Sequence, residues 1–271
     1  MGFERIESGW RYNFGGMKTN TAADEMPPTK YPYARNVRYV KSLQTRPGYA
    51  LLFDTNPPAG LVLSVLLDGV EILSTSVAGD NPLYIATGLS SMLGVNADAI
   101  DWAFDDWANG DGTTDSFTDD FNRANAGTLG ANWIQSDIGG LTTTFRINGN
   151  RCKGPTKTTT ANLALELATP VSATAIGDQA CSLRTTTFGG LNTTPVRPAL
   201  RGNGATISGW IGYLLLFITT GVNEPDEDKW IYDVEICHFN QSTAVLTILT
   251  ALTNQELLIG STPLFTFKAI G

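Results

Sequence analysis

Charge is scarce in this sequence and histidine is nearly absent. Of 271 residues, 16% are Asp, Glu, Lys or Arg, and His238 is the single histidine. A chain poor in Glu, Lys and Arg lacks the residues that cover exposed helix faces, which excludes long surface helices as its main building element. Any histidine-based triad or proton relay must pass through His238, and its place beside Ile236 and Phe239 reads as packing or rim. No G-x-S-x-G, P-loop or H-E-x-x-H motif occurs. The three cysteines, Cys152, Cys181 and Cys237, are odd in number, widely spaced and without a C-x-x-C pair. They read as reduced, buried thiols of a protein made in the cytosol. The longest apolar run, WIGYLLLFI at 210–218, is too short to cross a bilayer and fits a buried strand. The opening MGFERIESGW has no apolar core of a signal peptide, and Ile6 breaks the myristoylation pattern.

Basic residues are missing from one whole block. Residues 54–122 hold twelve acids and no Lys or Arg, whereas residues 1–53 hold eight basic and four acidic side chains, and 123–271 hold ten of each. Two readings stay open: chance with solubility, or a basic arm that lies on the acidic block of a neighbouring copy. The net charge of −8 repels phosphate, so nucleic acid is not expected as a partner.

What is abundant is Thr, Gly, Asn, Ser and apolar residues, a turn-rich all-β composition with 42% hydrophobic content. Residues 1–55 are punctuated by Gly15-Gly16, Pro27-Pro28, Pro32 and Pro47-Gly48, which forbids a long helix. Val37 and Tyr39 give one short alternation before the Arg46-Pro47-Gly48 turn. This segment buries little against itself and is expected to be an extended arm ordered by contact with partner molecules. Residues 56–115 are expected as a small β region. Its LVLSVLLDGVEILSTS has two apolar runs around Asp68-Gly69, a hairpin signal, and a short helix is expected at 97–107, anchored by Trp102 and Trp107. From 116 onward, strands recur about every ten residues, as in a β-sandwich. A two-residue turn at Asn148-Gly149 would set Phe145 opposite Cys152. KWIYDVEICHF sets Tyr232, Val234, Ile236 and His238 on one face and Asp233 with Glu235 on the other.

DDFNRANAGTLGANW (119–133) resembles the opening of concanavalin A/laminin-G-like jelly-roll domains, a D-x-F-x-R-x-x-G-x-L-G-x-x-W string leading into the first strand. The resemblance covers about 116–271. Asp120, Phe121, Arg123, Leu129, Gly130 and Trp133 form this domain-opening motif. Read from the residues alone, Phe121, Leu129 and Trp133 are apolar anchors, and Gly130 permits a tight turn. FGGMKTN, NVRYV and QTRPGYALLF, at about 14–55, resemble the N-terminus of phage tail-tube, nozzle and tail-tip ring proteins. That likeness implies an assembly arm built on Gly15, Gly16, Arg35, Asn36, Arg38, Arg46, Pro47 and Gly48. The chain has only about sixty residues between the two matches, which fits an accessory ring or adaptor better than a full nozzle. Together the resemblances imply a virion protein made in the host cytoplasm. Its partners would be copies of itself in a ring and other tail proteins. The final strand at 265–271 is expected to leave a sheet edge for another chain to fill.

Ligand chemistry is sparse. No catalytic residue and no cofactor is assigned. In DDWANGDGTTD (105–115), Asn109, Asp111 and Asp115 are candidate calcium ligands, but position 1 of a standard loop would fall on Trp107; NEPDEDK (223–229) is a second acidic turn. Trp210 and Trp230 are candidate glycan contacts for a lectin-like module that binds bacterial surface sugar, with Tyr213 expected in the core. Asp233 and Glu235 share a strand face, as a glycosidase pair would, yet lack the E-[ILV]-D-x-x-x-E spacing, so a solvated outer face is the preferred reading.

Overall fold

The computed structural model describes residues 37–39, 43–45, 60–95, 103–110, 115–139, 141–157, 164–187, 192–193, 196–219, 229–258 and 261–271. The chain divides into two units, 1–59 and 60–271. In the first, β1 (Val37–Tyr39) and β2 (Leu43–Thr45) pair antiparallel, with Arg38 opposite Gln44. The other arm residues named above lie outside the described residues.

The second unit is all-β. Its strands are β3 (Leu61–Leu67), β4 (Val70–Val77), β5 (Leu89–Val95), β6 (Ala103–Gly110), β7 (Asp115–Asp119), β8 (Trp133–Ile138), β9 (Leu141–Thr143), β10 (Arg146–Ile147), β11 (Cys152–Lys153), β12 (Thr156–Lys157), β13 (Leu165–Pro170), β14 (Gln179–Thr187), β15 (Asn192–Thr193), β16 (Val196–Gly202), β17 (Ile211–Thr219), β18 (Lys229–Asn240), β19 (Val245–Leu258) and β20 (Leu264–Ile270). Sheet one runs β10-β11-β6-β14-β20-β3-β4, with β7 also on β6; sheet two runs β19-β18-β17-β16-β5-β13-β8, with β15 on β17. All of these pairings are antiparallel.

The sheets face each other across one core. Leu63, Trp107, Leu183 and Phe267 from sheet one meet Met92, Leu215, Phe217 and Val234 from sheet two in a single buried cluster. In sheet one, β20 alternates inward and outward. Sheet two is apolar on both faces. β13 is buried along its whole length and β17 nearly so, and a second buried cluster with Leu167, Leu214, Leu216 and Cys237 sits on the face turned away from sheet one. That is why LLLF runs without polar interruption.

Several expectations change at this point. The region expected as a helix over 97–107 is strand from Ala103 on, because β6 pairs with β14. A bulge at Asp105 puts Phe104 and Trp107 both in the core, and their spacing of three imitates a helix face. The boundary expected at 115/116 falls inside β7, which pairs with β6, and the strands of 61–110 belong to the same two sheets as those after 133. The last strand, β20, lies in the interior of sheet one between β14 and β3, so the exposed edges belong to other strands. Asp68-Gly69 forms the expected hairpin turn, with φ of 48° and 86°. The second hairpin turns one residue later than expected. Gly149 and Asn150 hold the positive φ angles, Asn148 N–H donates to the Arg151 carbonyl, and Ile147 rather than Phe145 faces Cys152.

A buried arginine locks the turn-rich segment between β4 and β5 onto the sheets. Arg201 is fully buried, and its guanidinium donates to the carbonyls of Ile85 (2.7 Å), Gly177 (2.8 Å) and Gly271 (2.6 Å). Tyr213 hydroxyl donates to the Leu83 carbonyl at 2.6 Å and accepts from Ile85 N–H at 3.1 Å. The chain passes so close at Gly88 that a Cβ there would stand 2.3 Å from the Arg201 carbonyl carbon. Gly88→Ala is therefore expected to cost about 2–3 kcal/mol in urea unfolding. Gly127→Ala, with open space around the new Cβ, is expected to stay within about 0.5 kcal/mol.

Candidate functional site

The stretch 119–133 carries the chain from β7 in sheet one to β8 in sheet two and concentrates a network of side-chain hydrogen bonds. Its organising group is the Asp119 carboxylate. Oδ1 accepts from Phe121 N–H (2.8 Å) and Arg123 Nη1 (2.5 Å); Oδ2 accepts from Arg123 Nη2 (2.9 Å) and Trp133 Nε1 (2.7 Å). Arg123 Nη2 also donates to the Leu129 carbonyl at 2.7 Å. Burial pushes the carboxyl up, but the hydrogen bonds from Arg123, Trp133 and Phe121 outweigh it and hold Asp119 below its ordinary value. Phe121 takes a positive φ of 51°, an unusual conformation for a large side chain that the neighbouring contacts hold in place. Its ring stacks on Trp133 at 6.1 Å, and Phe117 meets Trp133 edge-on at 5.4 Å.

Phe121, Arg123, Leu129 and Trp133 are thus brought together around Asp119, the residue before the motif's Asp120. Asp120 is exposed and accepts only a local bond from Asn122 N–H among the bonds found here. Leu129 and Trp133 are buried, and Gly130 has a φ of 87°.

A second polar knot, missed from sequence, lies beside it. Glu166 on β13 is fully buried and accepts from Phe145 N–H (2.5 Å) and Gln135 Nε2 (2.8 Å). Gln135 also donates to the Phe145 carbonyl and accepts from Leu129 N–H. Burial raises the Glu166 carboxyl to about 7 despite these donors. The leucine alternation sets residue 166 on the face opposite Leu165 and Leu167, which reads in sequence as the solvent side, whereas in the structure that face turns toward sheet one.

Other candidates separate. Asn109 is buried on β6 and donates to Ser90 Oγ at 2.7 Å, so it is turned inward; Asp111 and the Asp115 side chain lie outside the described residues, as does most of 223–229. Among the described residues no group of three or more His, Cys, Asp or Glu is arranged to hold a metal ion. Trp210 is fully buried, its indole filling the space above Gly202 and Gly212, so it offers no platform to a sugar; Trp230 is half-buried on β18. Asp233 accepts from Asn254 N–H at 2.8 Å, and burial followed by the Asp233 charge raises Glu235. His238 is buried against the Tyr213 ring, and burial lowers its pKa. All three cysteines are free and buried, and burial raises their thiols. Three carboxylates of the acidic block meet arginines of the same unit: Asp105 with Arg151, Asp106 with Arg184, and Asp119 with Arg123. Next to the motif, Asp106, Thr118, Asp120 and Asn132 line a polar cleft of about 450 Å³.

Comparison with protein-family models, with curated proteins and with solved structures finds no match in any of the three.

Removing the Asp119 carboxylate leaves Trp133, Phe121 and Arg123 donors without their acceptor. Asp119→Ala is expected to cost about 3 kcal/mol in urea unfolding, and Asp120→Ala less than about 1 kcal/mol. Glu166 binds its proton more tightly folded than unfolded between its ordinary 4.5 and about 7. Its contribution is full below 4.5 and is lost as pH rises through about 7. Glu166→Gln mimics the protonated form. Relative to wild type, its stability is expected to rise by on the order of 3 kcal/mol from about pH 5 to about pH 8, measured as paired urea midpoints.

Proposed function

We propose that the chain is a structural component of a phage virion, a tail ring, adaptor or tail-decorating protein. In this reading, 116–271 is a concanavalin A/laminin-G-like jelly roll completed by the strands of 61–110, and 1–55 is the assembly arm. The single observation that carries the reading is the Asp119 knot. The most ligand-like stretch of the sequence spends its carboxylate, guanidinium and indole on holding two sheets together. The likeness of the leading segment to tail-ring proteins supplies the setting, and copies arranged in a ring gain affinity from repeated weak contacts.

A lectin-like adsorption role is the second reading, and the cleft beside Asp106, Thr118, Asp120 and Asn132 favours it, since hydroxyl-rich ligands bind to such carboxylates and amides. The two readings part experimentally. The structural one expects the chain in symmetric copies in images of purified particles. It also expects Arg35→Glu with Arg38→Glu and Arg46→Glu to abolish incorporation without changing the melting of the purified chain. Particles lacking the chain, with purified protein that binds host polysaccharide and loses binding in Asn132→Ala, would establish the lectin instead.

A further inference from the structure

β19 ends sheet two and, among the described residues, pairs only with β18. It is fourteen residues long and contains no Pro, Lys or Arg. Those are the residues by which exposed edge strands usually repel neighbours. Its one charge, Glu256, is held by Lys229 of β18 at 2.5 Å. The strand also exposes large apolar side chains: Leu246 is 39%, Ile248 54% and Leu258 59% exposed. Register with β18 places Leu246 beside Phe239, Ile248 beside Cys237 and Leu258 beside Lys229, all on the face turned from sheet one. The buried outer cluster of sheet two therefore continues to the edge as an uncovered apolar strip.

We propose that this edge is a self-association surface, on which two copies of the chain join β19 antiparallel across a two-fold axis. The chain carries a net charge of −8, so a second copy can approach closely only over a surface almost free of charge. β19 is such a surface. Opposed residues in a sheet must share a face. The antiparallel register that satisfies this sets Leu246 opposite Leu258 of the second copy and puts Leu252 on the axis. Ile248 then faces Glu256 of the second copy, so the two acids never meet, whereas a parallel register would stack them. Bulges at Leu249 and around Asn254 interrupt the middle of the strand. The straight stretches 246–248 and 256–258 lie outside them, and this register pairs one with the other. β4 lies against β19 and adds to the flank. With about 46 Å of strand, the contact covers on the order of 700 Å² per copy, in the range of stable dimers. This inference does not rest on the virion reading.

The test uses the intact chain in sedimentation equilibrium from about 1 μM to about 1 mM, spanning the usual affinities of such contacts. A reversible dimer is expected, and Ile248→Glu, which sets a second carboxylate against Glu256 of the other copy, or Leu246→Lys is expected to weaken it at least about a hundredfold while circular dichroism and melting stay unchanged. Spin labels on introduced cysteines locate the contact, because the native thiols are buried. Ala251→Cys should give a short distance beside the axis, and Val245→Cys about 45 Å, from ~3.3 Å per residue. A chain that stays monomeric throughout, a dimer indifferent to both substitutions, or labels that reverse this order would each overturn the proposal.

Discussion

A single carboxylate, Asp119, sits where the chain leaves one sheet for the other. It closes β7 in the first sheet and binds the indole of Trp133, the residue that opens β8 in the second. Between them the chain makes an irregular loop whose main-chain groups cannot join a ladder. Such groups must find partners or cost the loop its stability. Asp119 answers this with four accepted bonds, and Arg123 carries the same link on to the Leu129 carbonyl. The strained φ of Phe121 is tolerated because its ring stacks on the same indole. A stretch that reads in one dimension like a ligand set is thus, in three dimensions, a fastening between sheets.

Two other buried charges are also tied into the main chain. Arg201 is fully buried and bonds three carbonyls from distant segments; Glu166 is fully buried and bonds one main-chain N–H and one amide. Neither relies on an opposite charge among these bonds, and each joins parts of the chain that are far apart in sequence. Sheet two needs such fastenings more than sheet one. With apolar residues on both of its faces, its inner strands have few polar side chains, and the buried Arg201 and Glu166 side chains tie β16 and β13 to distant main-chain groups. The apolar outer face, running out to Leu246 and Ile248, connects this architecture to association with another copy.

What the sequence disclosed follows from which interactions are local. The Asp68-Gly69 hairpin and the alternation of Tyr232, Val234 and Ile236 are decided by neighbours in the chain, and both were legible. β6 was not, because its bulge changes the phase of burial and only its pairing with β14 reveals the strand. Phe121, Leu129 and Trp133 were legible as anchors of the opening stretch, but which of two adjacent aspartates binds Trp133 was not, since only the fold shows it. Arg201 gave no sequence signal at all. Its partners are carbonyls, which every residue has, supplied by segments separated from it by as many as 116 positions. Trp210 looked like an exposed platform because nothing local shows that Gly202 and Gly212 make room for its ring.

The central claim is that the Asp119 fastening is part of the fold rather than a mobile loop awaiting a ligand. Native-state hydrogen exchange followed by nuclear magnetic resonance addresses it bond by bond. The account expects the Trp133 indole N–H and the Phe121 amide to exchange only through global opening, with protection equal to that of the β17 amides. Exchange of those two protons through a local opening, orders of magnitude faster while β17 stays protected, would contradict it.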